Sequence, residues 1–529
     1  SGRMLRLGIL LALLFNLSHS LKFLAYSPQF GSSHVNFMGR ISDVLIDGGH
    51  EVVMISNVMD SQIGTAGTKK ARVIEIPQTP KSREFDDFIN NKMPRNVWRE
   101  SSMMKMTAGA EVIIEAYIAQ CNATLHHSGL IDQLRKEKFD VGYTESLDFC
   151  SVGLFHLVGI DKFAITESLA MVDGSFFYSQ IPSAPSYVPS MTLGFAGERM
   201  TFIERTSNFL VNFMTGIAKE SFMDQWQAVL TAYQSDFPNL KELAVQNSLV
   251  FMNSDPLVDF PRPSAARIID IGGITVSNGA KKLNTTWSSI MDLRPHTVLI
   301  SFGSFAKAHL MLDEYKKSIV ATVKKFPDVT FILKYEIPEH KISDGVENLV
   351  ETTWMPQNDI LHDSRLSAFV THGGQGSTTE SYFAGVPQIV IPICFDQLRN
   401  AAQVKRNGVG LVVEKTDLVN EKSLTAAITE ILANEKYREK AKKVQKMLRE
   451  KPFSPDEVFI RNMEFLAKHG PLRQLDHYGR HLNVFQYYLI DIIAFIAAII
   501  LLSIFIIVII ARSCFKRIFS RITSKPKEE

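Results

Sequence analysis

A glycine-rich turn in the last third of the chain combines residues that suit a phosphate group. It reads His372-Gly373-Gly374-Gln375-Gly376-Ser377 and joins a predicted strand, Leu366 to Thr371, to a predicted helix, Thr378 to Ala384. Such a turn places bare backbone N–H groups at the N-terminus of a helix, where the helix dipole also favours negative charge. The turn therefore predicts an anion site that fits a phosphate.

The same turn has a purely structural interpretation. Ser377 and Glu380 have the spacing of a capping box, in which both side chains would only begin the helix. The glycines would then only form a tight turn. Their G-G-x-G spacing differs from the G-x-G-x-x-G of dinucleotide-binding folds, and no P-loop lysine–threonine pair follows. This disfavours a nicotinamide-dependent oxidoreductase.

The residues around the turn resemble the signature of the UDP-glycosyltransferases, the family that includes the animal UDP-glucuronosyltransferases. The match keeps the order and spacing of the signature over Trp354-x-Pro356-Gln357, Thr371-His372-Gly373-Gly374, Glu380, Gly385-x-Pro387 and Asp396-Gln397. One position departs from the pattern, because the family often has asparagine where this chain has Gly376. The departure predicts that one phosphate donor is missing.

The resemblance implies a role for each residue of the donor site. Trp354 would stack on uracil, Gln357 would hold the base or ribose, and Glu380 would take the ribose hydroxyls. His372 and the amides that follow it, with Gly373, Gly374, Gly376 and Ser377, would bind the diphosphate. Asp396 and Gln397 would contact the sugar, and Ser304, in a second glycine turn, is a further candidate donor to phosphate.

A histidine near the start of the chain is the candidate catalytic base. His34 lies between a predicted strand, Lys22 to Tyr26, and a predicted helix, Val35 to Asp47. Position alone favours a cap or surface residue, but the resemblance places the general base of the family here. In the family an aspartate orients this histidine. The matching stretch of this chain offers Glu145 or, three residues later, Asp148, and we favour Glu145.

Alternating strands and helices surround both sets of residues and predict parallel sheets. The resemblance implies an α/β fold of the GT-B type, with two Rossmann-like domains facing a cleft. We assign residues 21–276 to an N-terminal acceptor-binding domain and 277–482 to a C-terminal UDP-sugar-binding domain. Apolar residues between Phe163 and Met223 could line an acceptor pocket, although core packing explains them equally well.

Both ends of the chain carry apolar segments. Residues 4–20 are predicted to be a signal peptide, and 490–511 a transmembrane helix, because Ile492 to Ala511 is twenty residues without a charge. Basic residues follow, so the positive-inside rule places the tail, 512–529, in the cytosol and the catalytic domains in the lumen. Lys525 and Lys527 resemble a dilysine endoplasmic-reticulum retrieval signal, with a plain basic tail as the alternative.

Composition limits the remaining partners. A net charge of +2 gives no indication of nucleic-acid binding, and no Asp-x-Asp or cysteine–histidine spacing predicts a metal. Of the four cysteines, only Cys121 and Cys150 could pair, and the sequence does not favour this pairing. Asn122 and Asn284 begin sequons for N-glycosylation.

The sequence thus predicts a single-pass endoplasmic-reticulum membrane enzyme, an inverting glycosyltransferase that uses no cofactor. It would move glucuronic acid or glucose from a UDP-sugar to a hydroxyl of a small lipophilic acceptor. The alternative is a membrane-anchored protein that binds a nucleotide sugar without turnover. The acceptor, the sugar and a homo-oligomeric state are left open.

Overall fold

The computed structural model describes residues 20–99, 109–170, 173–181, 183–191, 193, 197–276 and 279–523. The predicted signal peptide, apart from Ser20, and the two lysines of the predicted retrieval signal lie outside these ranges. The chain divides between Leu475 and Asp476 into two compact units. The first unit contains two parallel sheets, each with its own hydrophobic core.

The first sheet has the strand order β3-β2-β1-β4-β5-β6-β7, with every pair parallel. Its strands are β1 (Lys22–Tyr26), β2 (Glu51–Asn57), β3 (Arg72–Ile76), β4 (Val141–Glu145), β5 (Phe163–Glu167), β6 (Leu249–Met252) and β7 (Ile268–Asp270). Its central strands are buried, as the apolar runs of a doubly covered parallel sheet require. The order reverses between β1 and β4, which makes their carboxyl ends the expected place for a ligand.

Helices cover both faces of this sheet. They are α1 (Ser32–Asp47), α2 (Pro80–Asp87), α3 (Met93–Arg99), α4 (Ala110–Leu125), α5 (Leu130–Glu137), α6 (Cys150–Val158), α7 (Phe176–Ser179), α8 (Phe202–Tyr233) and α9 (Leu240–Val245). A π-helical turn, Phe88–Lys92, joins α2 to α3. Cys121 of α4 and Cys150 of α6 form a disulfide, a pairing that the sequence allowed but did not favour.

The second sheet repeats the topology, with the order β10-β9-β8-β11-β12-β13. Its strands are β8 (His296–Ser301), β9 (Val329–Lys334), β10 (Leu349–Thr352), β11 (Leu366–Thr371), β12 (Gln388–Val390) and β13 (Gly410–Val412). The reversal lies between β8 and β11. The predicted bounds of β11 are confirmed, and β12 ends at Val390, within the apolar run Gln388 to Ile393.

The helices of the second half are α10 (Thr285–Met291), α11 (Asp313–Lys324), α12 (Gln357–Leu361), α13 (Gln375–Ala384), α14 (Gln397–Asn407), α15 (Lys422–Ala433), α16 (Lys436–Arg449) and α17 (Pro455–His469). Short 3-10 turns are formed by Ala308–Leu310, Pro338–His340, Lys415–Val419 and Arg473–Leu475. Helix α17 returns to the first sheet, where Phe459 packs edge-on against Phe251 at 4.8 Å and Tyr143 at 6.4 Å.

Helix α8 accounts for much of the apolar composition between Phe163 and Met223. Among its exposed residues up to Ile217, seven are large and apolar: Phe202, Ile203, Phe209, Leu210, Phe213, Met214 and Ile217. Beyond that point, residues such as Glu220 and Asp224 are exposed instead. Core packing therefore does not explain these seven residues.

The second unit contains a 3-10 turn, Tyr478–His481, and two helices, α18 (Val484–Tyr487) and α19 (Ile490–Thr523). Helix α19 has a mean hydropathy of 3.5 over its most apolar 18-residue window, and none of that window is buried. It is the one helix of the described residues that is long and apolar enough to cross a membrane. It extends beyond the predicted span, so the tail remains helical as far as Thr523.

Candidate active site

The switch point of the first sheet carries a histidine–carboxylate pair. His34 lies in the first turn of α1, directly after β1, and Glu145 is the last residue of β4. Because Tyr26 pairs with Thr144 across these strands, the two side chains leave the sheet side by side. His34 Nδ1 lies 2.7 Å from Glu145 Oε1. The glutamate therefore reaches the histidine although the family usually has a shorter aspartate.

Ser168, which the sequence did not single out, completes this cluster. Its hydroxyl oxygen lies 2.7 Å from His34 Nδ1, and its backbone N–H donates to Glu145 Oε1 at 3.1 Å. Glu145 pairs with Thr166 across β4 and β5, so the residue that follows β5 meets the end of β4. The sequence carried no signal for Ser168, because only the order of the strands makes it a neighbour.

Asp148, the other predicted partner of His34, lies elsewhere. Its Oδ1 accepts a hydrogen bond from the Cys150 backbone N–H at 2.9 Å, at the start of α6. Burial raises the pKa of Asp148 to about 7. His34 is thus paired with Glu145 in the structure, whereas the Asp148 carboxylate lies at the start of α6.

The charges of the pair stabilise each other. Burial alone would lower the pKa of His34, but the charge and hydrogen bond of Glu145, together with the charges of Asp396 and Glu167, outweigh it, and the pKa is raised. Burial likewise opposes ionisation of Glu145, yet His34 and Ser168 lower its pKa below the usual value. The pair is arranged to hold a proton on Nδ1, which leaves Nε2 to accept another.

The switch point of the second sheet holds the predicted phosphate residues. Thr371 pairs with Ser301, so His372 and Gly303 leave neighbouring strands together. A Cβ at Gly303 would lie 2.7 Å from His372 Cε1, and one at Gly374 would lie 2.5 Å from Nε2. Gly303, at φ 79°, and Gly374 thus make room for the imidazole. Next to this glycine, Ser304 is exposed.

Lys334 brings a positive charge to this place and was also not predicted. It ends β9, beside β8, and its Nζ donates to the Gly303 carbonyl at 2.8 Å. Burial and the nearby Lys334 charge lower the pKa of His372 to about 4, so this histidine is neutral at physiological pH. A lysine and a neutral imidazole beside a glycine turn are suited to an anion.

Helix α13 begins earlier than predicted, and this removes the capping-box interpretation. Gly374 is the N-cap, so Ser377 and Glu380 lie inside the helix rather than at its start. Both face Gln357 instead, whose Nε2 lies 2.6 Å from Glu380 Oε2 and 3.2 Å from Ser377 Oγ. Burial raises the pKa of Glu380 to about 7. These three residues form a single polar cluster beside the glycine turn.

Two of the residues predicted to bind the UDP-sugar face open space. The Trp354 side chain is 69 % exposed, which leaves an aromatic surface free for a planar ligand. Gly376 lies in the first turn of α13, where an added Cβ would meet no atom within 4 Å beyond the adjacent residues and the helix's own backbone. The space that an asparagine side chain would occupy is therefore open here. Gly373 differs, since its φ of 84° requires glycine.

Asp396 and Gln397 lie at the start of α14 in different environments. The Gln397 side-chain oxygen accepts from the backbone N–H groups of Ile393, at 2.9 Å, and Cys394, at 3.1 Å, so it already supports the loop before it. Burial raises the pKa of Asp396, and Asn400 donates to its Oδ2 at 2.8 Å.

The two switch points face each other. The negative charge of Asp396, from the second sheet, raises the pKa of His34, from the first. Gln375 also donates through its side chain to the Asn253 carbonyl, across the two halves, at 2.8 Å. A molecule held at the glycine turn would thus present its end near Asp396 to the histidine–glutamate pair.

Comparison with known proteins identifies the family of this chain. The sequence profile of the family described as "UDP-glucoronosyl and UDP-glucosyl transferase" matches residues 23–525. The chain is 31 % identical over 528 residues to a Caenorhabditis elegans protein named as UDP-glucuronosyltransferase ugt-48, covering 96 % of each chain. It is 25 % identical to rat UDP-glucuronosyltransferase 1A7, covering 95 % of this chain and 93 % of the relative.

Solved structures of glycosyltransferases share the fold. A glycosyltransferase of kitacinnamycin aligns with a TM-score of 0.58 at 16 % identity, covering 86 % of this chain and all of the other. The calicheamicin glycosyltransferase CalG4 aligns with a TM-score of 0.55 at 15 % identity and the same coverage. Both support a GT-B fold. Because the family profile spans almost the whole chain, this protein belongs to the UDP-glucuronosyl and UDP-glucosyl transferases, enzymes that transfer sugar from a UDP-sugar.

Proposed function

We propose that this enzyme transfers the sugar with inversion to a hydroxyl group, with His34 as the general base. Nδ1–H of His34 donates to Glu145, and Nε2 removes the proton of the acceptor hydroxyl. The resulting oxygen attacks the anomeric carbon, the bond to the diphosphate breaks, and UDP leaves. The observation that carries this proposal is the position of the His34–Glu145 pair opposite Asp396.

The leaving diphosphate is stabilised by fixed groups of the chain. The N-terminus of α13 supplies backbone N–H groups and a favourable dipole, and Lys334 supplies a charge. The imidazole of His372 completes this set. These groups face the place where negative charge develops, so the proposal includes no step through a metal ion.

The remaining contacts bind the uracil, the ribose and the sugar of the UDP-sugar. Uracil stacks on Trp354, and the Gln357–Glu380 pair receives the ribose hydroxyls. Asp396 contacts sugar hydroxyls near the reacting carbon. The names of the relatives favour glucuronic acid over glucose as the sugar. Small lipophilic molecules with a hydroxyl group are the proposed acceptors.

Turnover by the purified protein tests this function. We would offer UDP-glucuronic acid and UDP-glucose with a panel of phenolic and steroidal acceptors, and determine the anomeric configuration of any product by NMR. An α-linked donor should give a β-glycoside. An α-glycoside would exclude inversion. UDP binding without product from any pair would instead support a nucleotide-sugar-binding protein.

Trp354→Ala should weaken UDP binding by roughly tenfold to a hundredfold, because stacking of a base on an aromatic ring contributes about 1–3 kcal/mol. Calorimetry with UDP measures this. The ring is exposed, so its loss should leave the melting temperature nearly unchanged. Glu380→Gln is the companion variant, and it should weaken UDP binding less. Parental affinity in both would place the nucleotide elsewhere.

The C-terminal helix fits a membrane anchor, and we propose that it holds the catalytic unit in the endoplasmic-reticulum lumen. Arg512, Lys516, Arg517 and Arg521 follow the apolar segment and favour a cytosolic tail. A lumenal catalytic unit should carry N-glycans, because Asn122 and Asn284 are both exposed.

Endoglycosidase digestion of the full chain from microsomes should lower its apparent mass. Thr286→Ala should remove any glycan at Asn284 while keeping the helix cap, since the Asn284 side chain accepts from Trp287 N–H at 3.0 Å. Protease added to intact microsomes should remove a C-terminal epitope and spare the catalytic unit. A protected epitope would reverse the orientation.

A further inference from the structure

Helix α3 belongs to the first half of the chain but ends in the core of the second. Met93, its first residue, is buried in the core of the first sheet together with Phe85 and Ile89. Val97 and Trp98, one turn later, are buried in the core of the second sheet. A seven-residue helix thus has one end in each core and joins the close-packed interiors of the two halves.

Trp98 is the main contact at the second end. It is fully buried, and its ring packs edge-on against Phe302 at 5.4 Å and Tyr315 at 6.5 Å. Its indole N–H donates to the Lys307 carbonyl at 3.0 Å. Beside it, the buried Lys415 ammonium donates to the Val97 carbonyl at 2.6 Å. These contacts pair the polar atoms at this end of the helix with hydrogen-bond partners and bury the apolar surface of the Trp98 ring.

The segment that Trp98 holds is the loop that follows β8. Phe302 is the residue before Gly303, and Gly303 lies against the His372 ring and accepts from Lys334. Lys307, whose carbonyl binds the indole, also donates to the Gln62 side chain of the first half at 2.9 Å. Trp98 and Gln62, both from the N-terminal, acceptor-binding half, therefore fix the loop that shapes the diphosphate site.

The other end of the same stretch lies near the base. Phe85 of α2 packs edge-on against Phe30 at 5.3 Å, and Phe30 stacks on His34 at 6.1 Å. Helix α2, the π-helical turn and α3 run without a break from Pro80 to Arg99. Consecutive helical residues thus connect the aromatic neighbours of His34 to the loop beside His372.

We propose that Trp98, from the N-terminal, acceptor-binding half, is a positioning residue. It fixes the conformation of the loop that follows β8, beside the diphosphate site, and so holds the UDP-sugar in the correct position relative to His34. The proposal rests on the proposed function for the role of that loop. A donor site built only by the second half would need no such residue. In this enzyme the loop that follows β8 adopts its binding conformation only while the Trp98 indole packs against Phe302.

Trp98→Ala and Trp98→Phe test this in the full chain. We expect Trp98→Ala to raise the Kd for UDP and the KM for UDP-glucuronic acid by roughly tenfold, because small displacements of a positioned group are costly. The acceptor KM should stay within about twofold. Trp98→Phe keeps most of the packing and loses the bond to the Lys307 carbonyl, so it should give a smaller rise in the same direction.

Trp226→Phe and Trp226→Ala are the matched controls, because Trp226 is buried in the core of the first sheet and packs edge-on against Phe149 at 6.1 Å. Like the Trp98 variants, they should lower the melting temperature, because each removes buried aromatic packing, but they should leave the Kd for UDP unchanged. If both Trp98 variants lowered only the melting temperature and bound UDP like the parent, the role of Trp98 would be purely structural. If Trp98→Ala does not fold, Trp98→Phe alone decides.

UDP calorimetry also separates this proposal from the proposed function. A parent protein that binds UDP but transfers no sugar would contradict the enzymatic function. The Trp98 variants would still show whether the acceptor half sets the nucleotide site. A parent that transfers sugar, with variants of unchanged UDP affinity and unchanged donor KM, would contradict the positioning role alone.

Discussion

His34→Ala is expected to lower sugar transfer by about 10²–10⁴-fold, the range over which a positioned general base accelerates a reaction. The alanine leaves the acceptor hydroxyl without a group to take its proton, since Glu145 lies behind the imidazole on the Nδ1 side. UDP affinity should be unchanged, because the glycine turn, His372 and Lys334 belong to the second sheet. Initial rates together with UDP calorimetry measure the two effects separately.

Ser168→Ala provides the control for this variant. The serine also contacts His34 Nδ1, but it carries no charge, so its loss should cost far less than loss of the base. Near-normal turnover in His34→Ala would remove His34 from the mechanism. A matching loss of UDP affinity would show that the substitution disturbs the cleft rather than the chemistry.

The sequence predicted the local units of this fold well, because each unit is short and regular. Buried parallel strands are continuous apolar runs, and turn residues mark their ends. Strands β1 and β11 therefore have the predicted bounds. The predicted pairing of His34 with Glu145 is consistent with the geometry, although the choice over Asp148 depended on family resemblance.

The start of helix α13 shows why a local pattern can mislead. Ser377 and Glu380 have capping-box spacing, yet Gly374 takes the N-cap position with an extended conformation, φ −62° and ψ 147°. Both side chains are then free to meet Gln357 of helix α12. Gln357 lies 20 residues before Ser377 along the chain, so a local sequence pattern contains no information about this contact.

Sheet order explains the residues that the sequence missed. Ser168 reaches His34 because β5 lies beside β4, and Lys334 reaches Gly303 because β9 lies beside β8. Neither residue has an unusual neighbour in the sequence. Trp98 is the extreme case, since its partner Lys307 is 209 residues away and belongs to the other half. Such roles follow from the tertiary arrangement alone.

Glu145→Gln should lower kcat by roughly 10–10³-fold, because the charge that stabilises the His34 imidazolium is lost. The glutamine is also able to donate its NH₂ group to Nδ1, which would move the imidazole proton to Nε2 and remove the base. Asp148→Asn is the control. An asparagine oxygen can still accept from the Cys150 N–H, so kcat should change little. A larger loss in Asp148→Asn would reverse the assignment.

The pH dependence separates this charge effect from simple misplacement. His34 accepts a proton only when neutral, so the rate in the parent should rise with pH through the raised pKa of His34. Glutamine removes the largest of the contributions that raise this pKa, leaves the smaller ones of Asp396 and Glu167, and keeps burial, which lowers it. The rising limb of kcat against pH should therefore move to lower pH in Glu145→Gln, while its plateau falls. If the plateau fell and the limb stayed in place, Glu145 would orient His34 without stabilising its charge.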